Sequence, residues 1–216
     1  PDIQAFIRAK RDVDFHAWRL NISVFVSDEF LTAARTGQLW PLHDYAGQVV
    51  DHVDAEAVLR QIADCACYCG EPGVLFKDRI DEDNPIPDAP FISTAPCAEL
   101  AMAEGDGCHF SYINVGALVR DGQVDLERLG LVAAGITRML DATIEITVRG
   151  VGHVLDRVGR SRRIGVGVTG FADLLARLKI PYAAPEAVAL ASTLAEHLDF
   201  HTKAASVALA RERGAF

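Results

Sequence analysis

Apolar residues at the start of the chain recur at helical spacing: Ile3, Phe6 and Ile7 share one face and predict a helix. Asn21-Ile-Ser-Val-Phe-Val-Ser27 is β-branched and aromatic and predicts a strand, with Asp28 placed to cap a short helix through about Ala34. Residues from about Ala55 to Ala66 predict a helix, broken by Gly70 and the Pro72-Gly73 turn, and Val74–Phe76 a short strand. Residues 81–97 hold four prolines, Pro85, Pro87, Pro90 and Pro96, which predicts a long irregular loop. Loops of that length inside a compact domain are usually functional or disordered. Phe110–Asn114 then reads as a strand. Leu129, Val132, Ile136, Leu140 and Ile144 form one apolar helical face. Arg163–Val168 reads as a strand leading into a helix over 171–178, and Leu190, Leu194 and Leu198 mark a final long helix. Strands that alternate with helices predict an α/β fold, sheet or barrel.

Composition narrows the function classes. Half of the 216 residues are hydrophobic and about a quarter charged, the balance of a globular domain with a real core. No apolar run approaches the ~20 residues of a membrane span, and no signal-peptide pattern opens the chain. A net charge of −9 argues against binding to a DNA or RNA backbone. It leaves nucleotides open, because a phosphate cradle is built from backbone N–H groups. Five cysteines form no secreted disulfide framework, so a reducing cytoplasm is expected. The abrupt ends predict a segment of something larger.

Several constellations carry both a chemical and a packing reading. Gly165-Val-Gly-Val-Thr-Gly170 fits the dinucleotide-binding pattern, yet the acid expected ~20 residues on falls at Glu186, which opens a helix. A tightly packed strand-to-helix junction is preferred. His197 and His201 lie one turn apart without the adjacent Glu of a metalloprotease or a third ligand, so a solvated helix face is preferred. Cys65, Cys67 and Cys69 lack the usual zinc spacing and read as buried small residues; no metal is expected. Cys97 ends the proline-rich loop with Glu99 two residues on. In an extended segment the two side chains would point the same way. Cys108 follows eleven residues later. On spacing alone, Cys97 and Cys108 are either two thiols near one pocket or two ordinary cysteines.

The residues around Cys97 add a resemblance. Pro1–Arg11, Asn21-Ile-Ser-Val, Ser27–Leu31, Gly70–Pro85, Pro96-Cys-Ala-Glu99, Cys108–Asn114, Arg163–Leu178 and Lys203–Gly214 follow in family order, and the stretch Asp12–Leu20 matches loosely. Over nearly its whole length the chain resembles the catalytic subunit of ribonucleotide reductase, on the adenosylcobalamin-dependent (class II) side. The resemblance implies a ten-stranded α/β barrel with a central finger loop, here about residues 91–100. It further implies that this single segment, 1–216, forms roughly half of the barrel. The finger loop of the family reads Asn-Pro-Cys-Gly-Glu. Residue by residue, Ala95, Pro96, Cys97, Ala98 and Glu99 fall on that substrate-binding loop. Cys97 falls on the cysteine that becomes a thiyl radical and takes the ribose 3′ hydrogen. Glu99 falls on the base for the 3′-hydroxyl proton, and Cys108 on one member of the redox-active reducing pair. A buried radical is shielded from water, and a positioned carboxylate contributes about 10²–10⁴-fold.

The departures shape the expectations. Ala95 removes a side-chain amide, and Ala98 replaces a glycine; His109 stands where the family has asparagine, a candidate polar group near the site, with a surface or packed histidine the preferred reading. The resemblance places the first reducing cysteine before Pro1 and the phosphate loop after Phe216. An open half-barrel is therefore expected to self-associate or to join a complementing reductase segment. Three readings stay open: a reductase segment acting on a ribonucleotide with adenosylcobalamin, a catalytically inactive binding or assembly module, and a radical enzyme with a changed substrate.

Overall fold

The computed structural model describes residues 2–12, 20–87, 89–151 and 156–215, so the loosely matched stretch at 13–19 lies outside the described residues. The chain divides into two compact units, Pro1–Glu104 and Gly105–Phe216.

In the first unit the order is α1 (Ile3–Asp12), β1 (Ser23–Val26), α2 (Asp28–Thr36), β2 (Leu39–His43), β3 (Val49–Asp54), α3 (Ala55–Cys69), β4 (Gly73–Phe76), α4 (Lys77–Glu82), β5 (Ser93–Thr94) and β6 (Ala101–Met102). β1 and β4 pair in parallel from Ser23↔Gly73 to Val26↔Phe76, joined by the long crossover that parallel strands require. Val24 and Val26 of β1 enter a core with Ile7, Phe30, Ala33, Val58 and Ile62. The cap of α2 is Ser27, not Asp28: Ser27 is extended and its Oγ accepts the Phe30 N–H at 3.1 Å. Asp28 is the first helical residue, and its N–H donates to Asp78 Oδ2 at 2.6 Å. In α3, Asp54 caps the start and Gly70, in the left-handed region, the end. Cys65, Cys67 and Cys69 lie on its last turns, where two residues turn ~200° around the axis. Cys65 is accordingly buried, Cys67 exposed and Cys69 half-buried, which corrects the expectation of three buried cysteines. The antiparallel hairpin β2–β3 is a further departure from the sequence reading. Asp44 closes its turn by accepting the N–H groups of Ala46 and Gln48, each at 2.9 Å.

In the second unit, β7 (His109–Asn114) leads through a 3-10 turn (Val115–Leu118) to β8 (Val119–Arg120), β9 (Gln123–Val124), α5 (Leu126–Val151), α6 (Asp156–Ser161), β10 (Ile164–Thr169), α7 (Phe171–Leu178) and α8 (Pro185–Arg213). β7 and β10 pair in parallel from His109↔Ile164 to Asn114↔Thr169. The predicted apolar face of α5 packs inward, with Leu129, Leu140 and Ile144 buried. Leu190, Leu194 and Leu198 of α8 join Leu129 and Ala133 in one core. His201 also lies between helices: a Cβ on Gly130 of α5 would fall 2.7 Å from its ring, so α5 and α8 meet closely there. All three glycines of the 165–170 run likewise meet protein. A Cβ on Gly167 would fall 2.8 Å from the Tyr112 ring, and one on Gly170 would fall 2.3 Å from Asn114 Oδ1. That packing fits a tightly packed strand-to-helix junction.

The α/β class holds. Among the described residues, however, the strands form five two-stranded sheets and no closed barrel. A barrel closes only when every strand has two neighbours, and β1, β4, β7 and β10 each pair along one edge. No helix among the described residues is long and apolar enough to cross a membrane.

Gly170 tests the junction between β10 and α7. Its φ is +74°, and its α-hydrogen faces Asn114. Gly170→Ala is expected to cost about 2 kcal/mol through left-handed strain alone, read as a lower urea midpoint at unchanged slope; an unshifted midpoint would contradict the packing described.

Candidate active site

The predicted irregular loop ends in regular structure. Asn84 pins its first half by accepting the Ile86 N–H and donating to the Ala89 carbonyl at 3.0 Å. Beyond the buried Phe91, β5 and β6 form an antiparallel hairpin, Ser93↔Met102 and Thr94↔Ala101. Backbone bonds extend the ladder on both sides, from Ile92 N–H to Met102 O and from Ala95 N–H to Leu100 O, each 2.9 Å. The tip is a β-turn closed by the Ala98 N–H and the Ala95 carbonyl at 2.9 Å. Pro96 occupies its second position, where a fixed φ is favourable. Cys97 follows and is exposed, and Ala98 comes next at φ +62°. Glu99 is exposed as well. Cys97 and Glu99 therefore flank a left-handed residue on a turn, and the extended-segment argument for their pairing does not apply. Asn21, just ahead of β1, reaches this tip: its Nδ2 donates to the Pro96 carbonyl at 2.9 Å and lies 3.8 Å from Cys97 Sγ.

In the second unit, Cys108 stands immediately before β7. A Cβ on Gly165 of the paired strand would lie 3.7 Å from Cys108 Sγ and 3.3 Å from Phe110 Cβ, so these two side chains share a face. Phe110 and Tyr112 continue along it, both 60% exposed, in an edge-to-face pair with centroids 5.7 Å apart. His109 points the other way, because successive side chains on a strand alternate. Its Nε2 bonds Thr147 Oγ1 of α5 at 3.0 Å, and its Nδ1 is buried without a partner among the described residues. Of the two readings of His109, a polar group near the site and a packed histidine, this bond to α5 favours the packed one.

Two residues before Cys108, Asp106 locks the start of β7 to the segment leading into β10. Its carboxylate accepts from Arg163 at 2.7 Å, Ser161 at 2.8 Å and its neighbour Gly107 N–H at 3.0 Å. The Asp106 and Arg163 side chains are only 3% and 15% exposed. Burial pushes the Asp106 carboxyl up, but the bonds from Arg163, Ser161 and Gly107, with the Arg163 charge, outweigh it and hold the group below its ordinary value. Among the described residues no three His, Cys, Asp or Glu side chains gather as a metal site.

A model of the ribonucleotide reductase barrel domain matches residues 1–216. The chain belongs to the ribonucleotide reductase family. It is 36% identical over 218 residues to a vitamin B12-dependent ribonucleoside-diphosphate reductase of Mycobacterium tuberculosis, covering 100% of this chain and 32% of that protein. It is 32% identical over 219 residues to the enzyme of the same description from Thermoplasma acidophilum, covering 100% of this chain and 28% of that protein. The ribonucleoside-diphosphate reductase large subunit of an African swine fever virus is 28% identical over 168 residues, 74% of this chain and 22% of its own length. The chain thus spans about a third of the length of the full-coverage relatives.

Of the residues singled out in this reductase segment, Ala95, Pro96, Cys97, Ala98 and Glu99 share one hairpin tip in the first unit, and Cys108 belongs to the second. Asn21, Asp106 and Arg163 were not identified from sequence. Asn21 and Pro96 are 75 residues apart, and Asp106 and Arg163 are 57 apart. Only strand pairing and hairpin closure reveal such partners.

Two measurements check this geometry. Ala98→Gly is expected to stabilise the protein by about 1 kcal/mol, because glycine meets no Cβ penalty at positive φ; an unchanged or lower midpoint would place the turn elsewhere. The folded state holds the Asp106 carboxyl below its unfolded value, so its contribution is complete above the unfolded value, near pH 4. It is lost as pH falls through the lower folded value. Stability of the wild type should therefore fall more steeply below pH 4 than that of Asp106→Asn, and parallel acid limbs would contradict the clamp.

Proposed function

We propose that this chain is the radical-cysteine segment of an adenosylcobalamin-dependent reductase acting on a ribonucleoside diphosphate. The observation that carries the reading is the exposed Cys97 at the tip of a closed hairpin, with Glu99 two residues on. In the overall reaction the ribose 2′ C–O bond breaks, its oxygen leaves as water, a C–H bond replaces it, and two thiols become one disulfide. Cys97 removes the 3′ hydrogen and returns it, so it is unchanged over the cycle. Glu99 takes the proton of the 3′-hydroxyl. Cys108 supplies one of the two reducing thiols, and the other belongs to another segment. Adenosylcobalamin, when bound, supplies the one-electron chemistry that removes the hydrogen atom of the Cys97 thiol. Cys97 is exposed in this segment, so the shielding from water that a radical needs would come from the complementing reductase segments.

In this proposal the segment contributes its parallel pairs to a ten-stranded barrel, and 1–216 serves as one part of it. The unpaired edges of those pairs, with Val74, Phe76, Phe110 and Tyr112 exposed, support assembly with a complementing reductase segment or a second copy. Five cysteines that form no secreted disulfide framework support a cytoplasmic setting. The Ala95 substitution favours the second reading, a reductase-derived binding module, because a loop without that amide has lost one group that could hold a ribose.

The test is anaerobic incubation of the chain, alone and with the complementing reductase segments, with adenosylcobalamin, a ribonucleoside diphosphate and dithiothreitol. Deoxyribonucleotide is expected from the assembled protein. Cys97→Ser should abolish it with the fold intact, and Glu99→Gln should lower it by about 10²–10⁴-fold. Undiminished product from Cys97→Ser would contradict the assignment, and no product from any combination would favour the binding module.

A further inference from the structure

We propose that Asn21 is the positioning residue for the Cys97 thiol. Its chemical use rests on the reductase reading, whereas its geometry does not. The backbone that bears Asn21 is fixed. Its neighbour Ile22 is 6% exposed, the Ile22 carbonyl accepts the Gly73 N–H at 3.0 Å, and Ser23 pairs with Gly73 at the start of the β1–β4 ladder. From that anchor a single amide nitrogen addresses two neighbouring features. It donates to the Pro96 carbonyl at 2.9 Å, gripping the peptide unit that leads into Cys97. The same nitrogen lies 3.8 Å from Cys97 Sγ, within reach of its second hydrogen.

The hairpin ladder does not do this by itself. Its backbone bonds fix Ile92, Ala95 and Leu100–Met102, and the turn bond from Ala98 closes the tip without setting the Cys97 side chain. Ala98 works against the turn, because its φ of +62° is unfavourable for an L-residue. A donor from outside the hairpin offsets that tendency and restrains the sulfur at the same time.

The residue type also suits the chemistry. A cation beside a thiol favours the thiolate, which has no hydrogen atom to give. A neutral amide restrains the sulfur without placing a charge beside it. Asn21 is thus matched to a cysteine that must surrender and recover a hydrogen atom in one orientation.

The experiment uses the chain labelled at the cysteine β-carbon with carbon-13, which gives a methylene signal for each of its five cysteines. Loss of one signal in Cys97→Ser assigns Cys97. In the wild type two distinct β-proton shifts are expected at Cys97, the signature of one side-chain rotamer. Asn21→Ala should merge them toward an averaged pair, while Cys65 and Cys69 in α3 and Cys108 before β7 stay in place. Asn21→Asp, nearly isosteric but without a donor at pH 7, should do the same. Its Cys97 signal should return toward the wild-type position as pH falls through the usual aspartate range, about 4, because the protonated acid regains a donor. The wild type carried through the same range corrects for Glu99 on the hairpin.

Cys97 signals unaltered in both variants would overturn the proposal. So would a Cys97 signal that moves in Asn21→Ala but fails to return on acidification of Asn21→Asp, which would reduce Asn21 to packing. If Asn21→Ala displaces all the cysteine signals, Asn21→Asp decides. No turnover is needed at any step, so a missing deoxyribonucleotide product with the expected signals would sink the reductase reading and leave Asn21 in place.

Discussion

A ladder of backbone bonds across residues 92–102 determines what the first unit can do. Ile92 and Ala95 donate across to Met102 and Leu100, and Ala98 donates back to Ala95. With these bonds made, four residues, Pro96–Glu99, must reverse the chain, and Cys97 has nowhere to go but the tip. The same closure forces Ala98 into the left-handed region, where the family's glycine would sit without penalty. The hairpin thus carries both the candidate chemistry and its own strain. Asn21, fixed at the mouth of a strand, is the group placed to hold the two in balance.

In the second unit a simpler rule does the sorting. Alternation along β7 sends Phe110 and Tyr112 to one face, with Cys108, and His109 and Ile113 to the other, against α5 and the core. Gly165 and Gly167 on the neighbouring strand leave the room that Phe110 and Tyr112 fill. The Asp106–Arg163 pair fixes where that alternation begins, and so which face Cys108 takes. Slipping the strand by one residue would exchange Cys108 for His109, and a nearly buried ion pair at its start resists such a slip.

Much of this was legible in the residues. β-Branched runs marked β1, β7 and β10, and the spacing of Leu129, Ile136 and Leu140 marked α5, because local burial pattern is what those elements consist of. The family was legible too, through the order of short motifs. What sequence could not supply was partnership between distant positions. The Asn21–Pro96 and Asp106–Arg163 contacts arise from tertiary pairing. Other misses were local. Ser27 and Asp28 are both good cap residues, and the backbone extends at Ser27 rather than at Asp28. The three cysteines of α3 were read as one group, although helical rotation separates Cys67 from Cys65 and Cys69. Asp44 and Gly47 close the β2–β3 turn, a signal shorter and weaker than the proline-rich loop.

A closed hairpin presents Cys97 at its tip. Site-resolved amide hydrogen exchange measures it directly. Slow exchange is expected at Ile92, Ala95 and Ala98, whose N–H groups are bonded, and rapid exchange at Cys97 between them. Exchange at Ile92 and Ala95 as fast as at Cys97 would mean that the ladder is open and that nothing in the fold holds Cys97 where the proposed chemistry needs it.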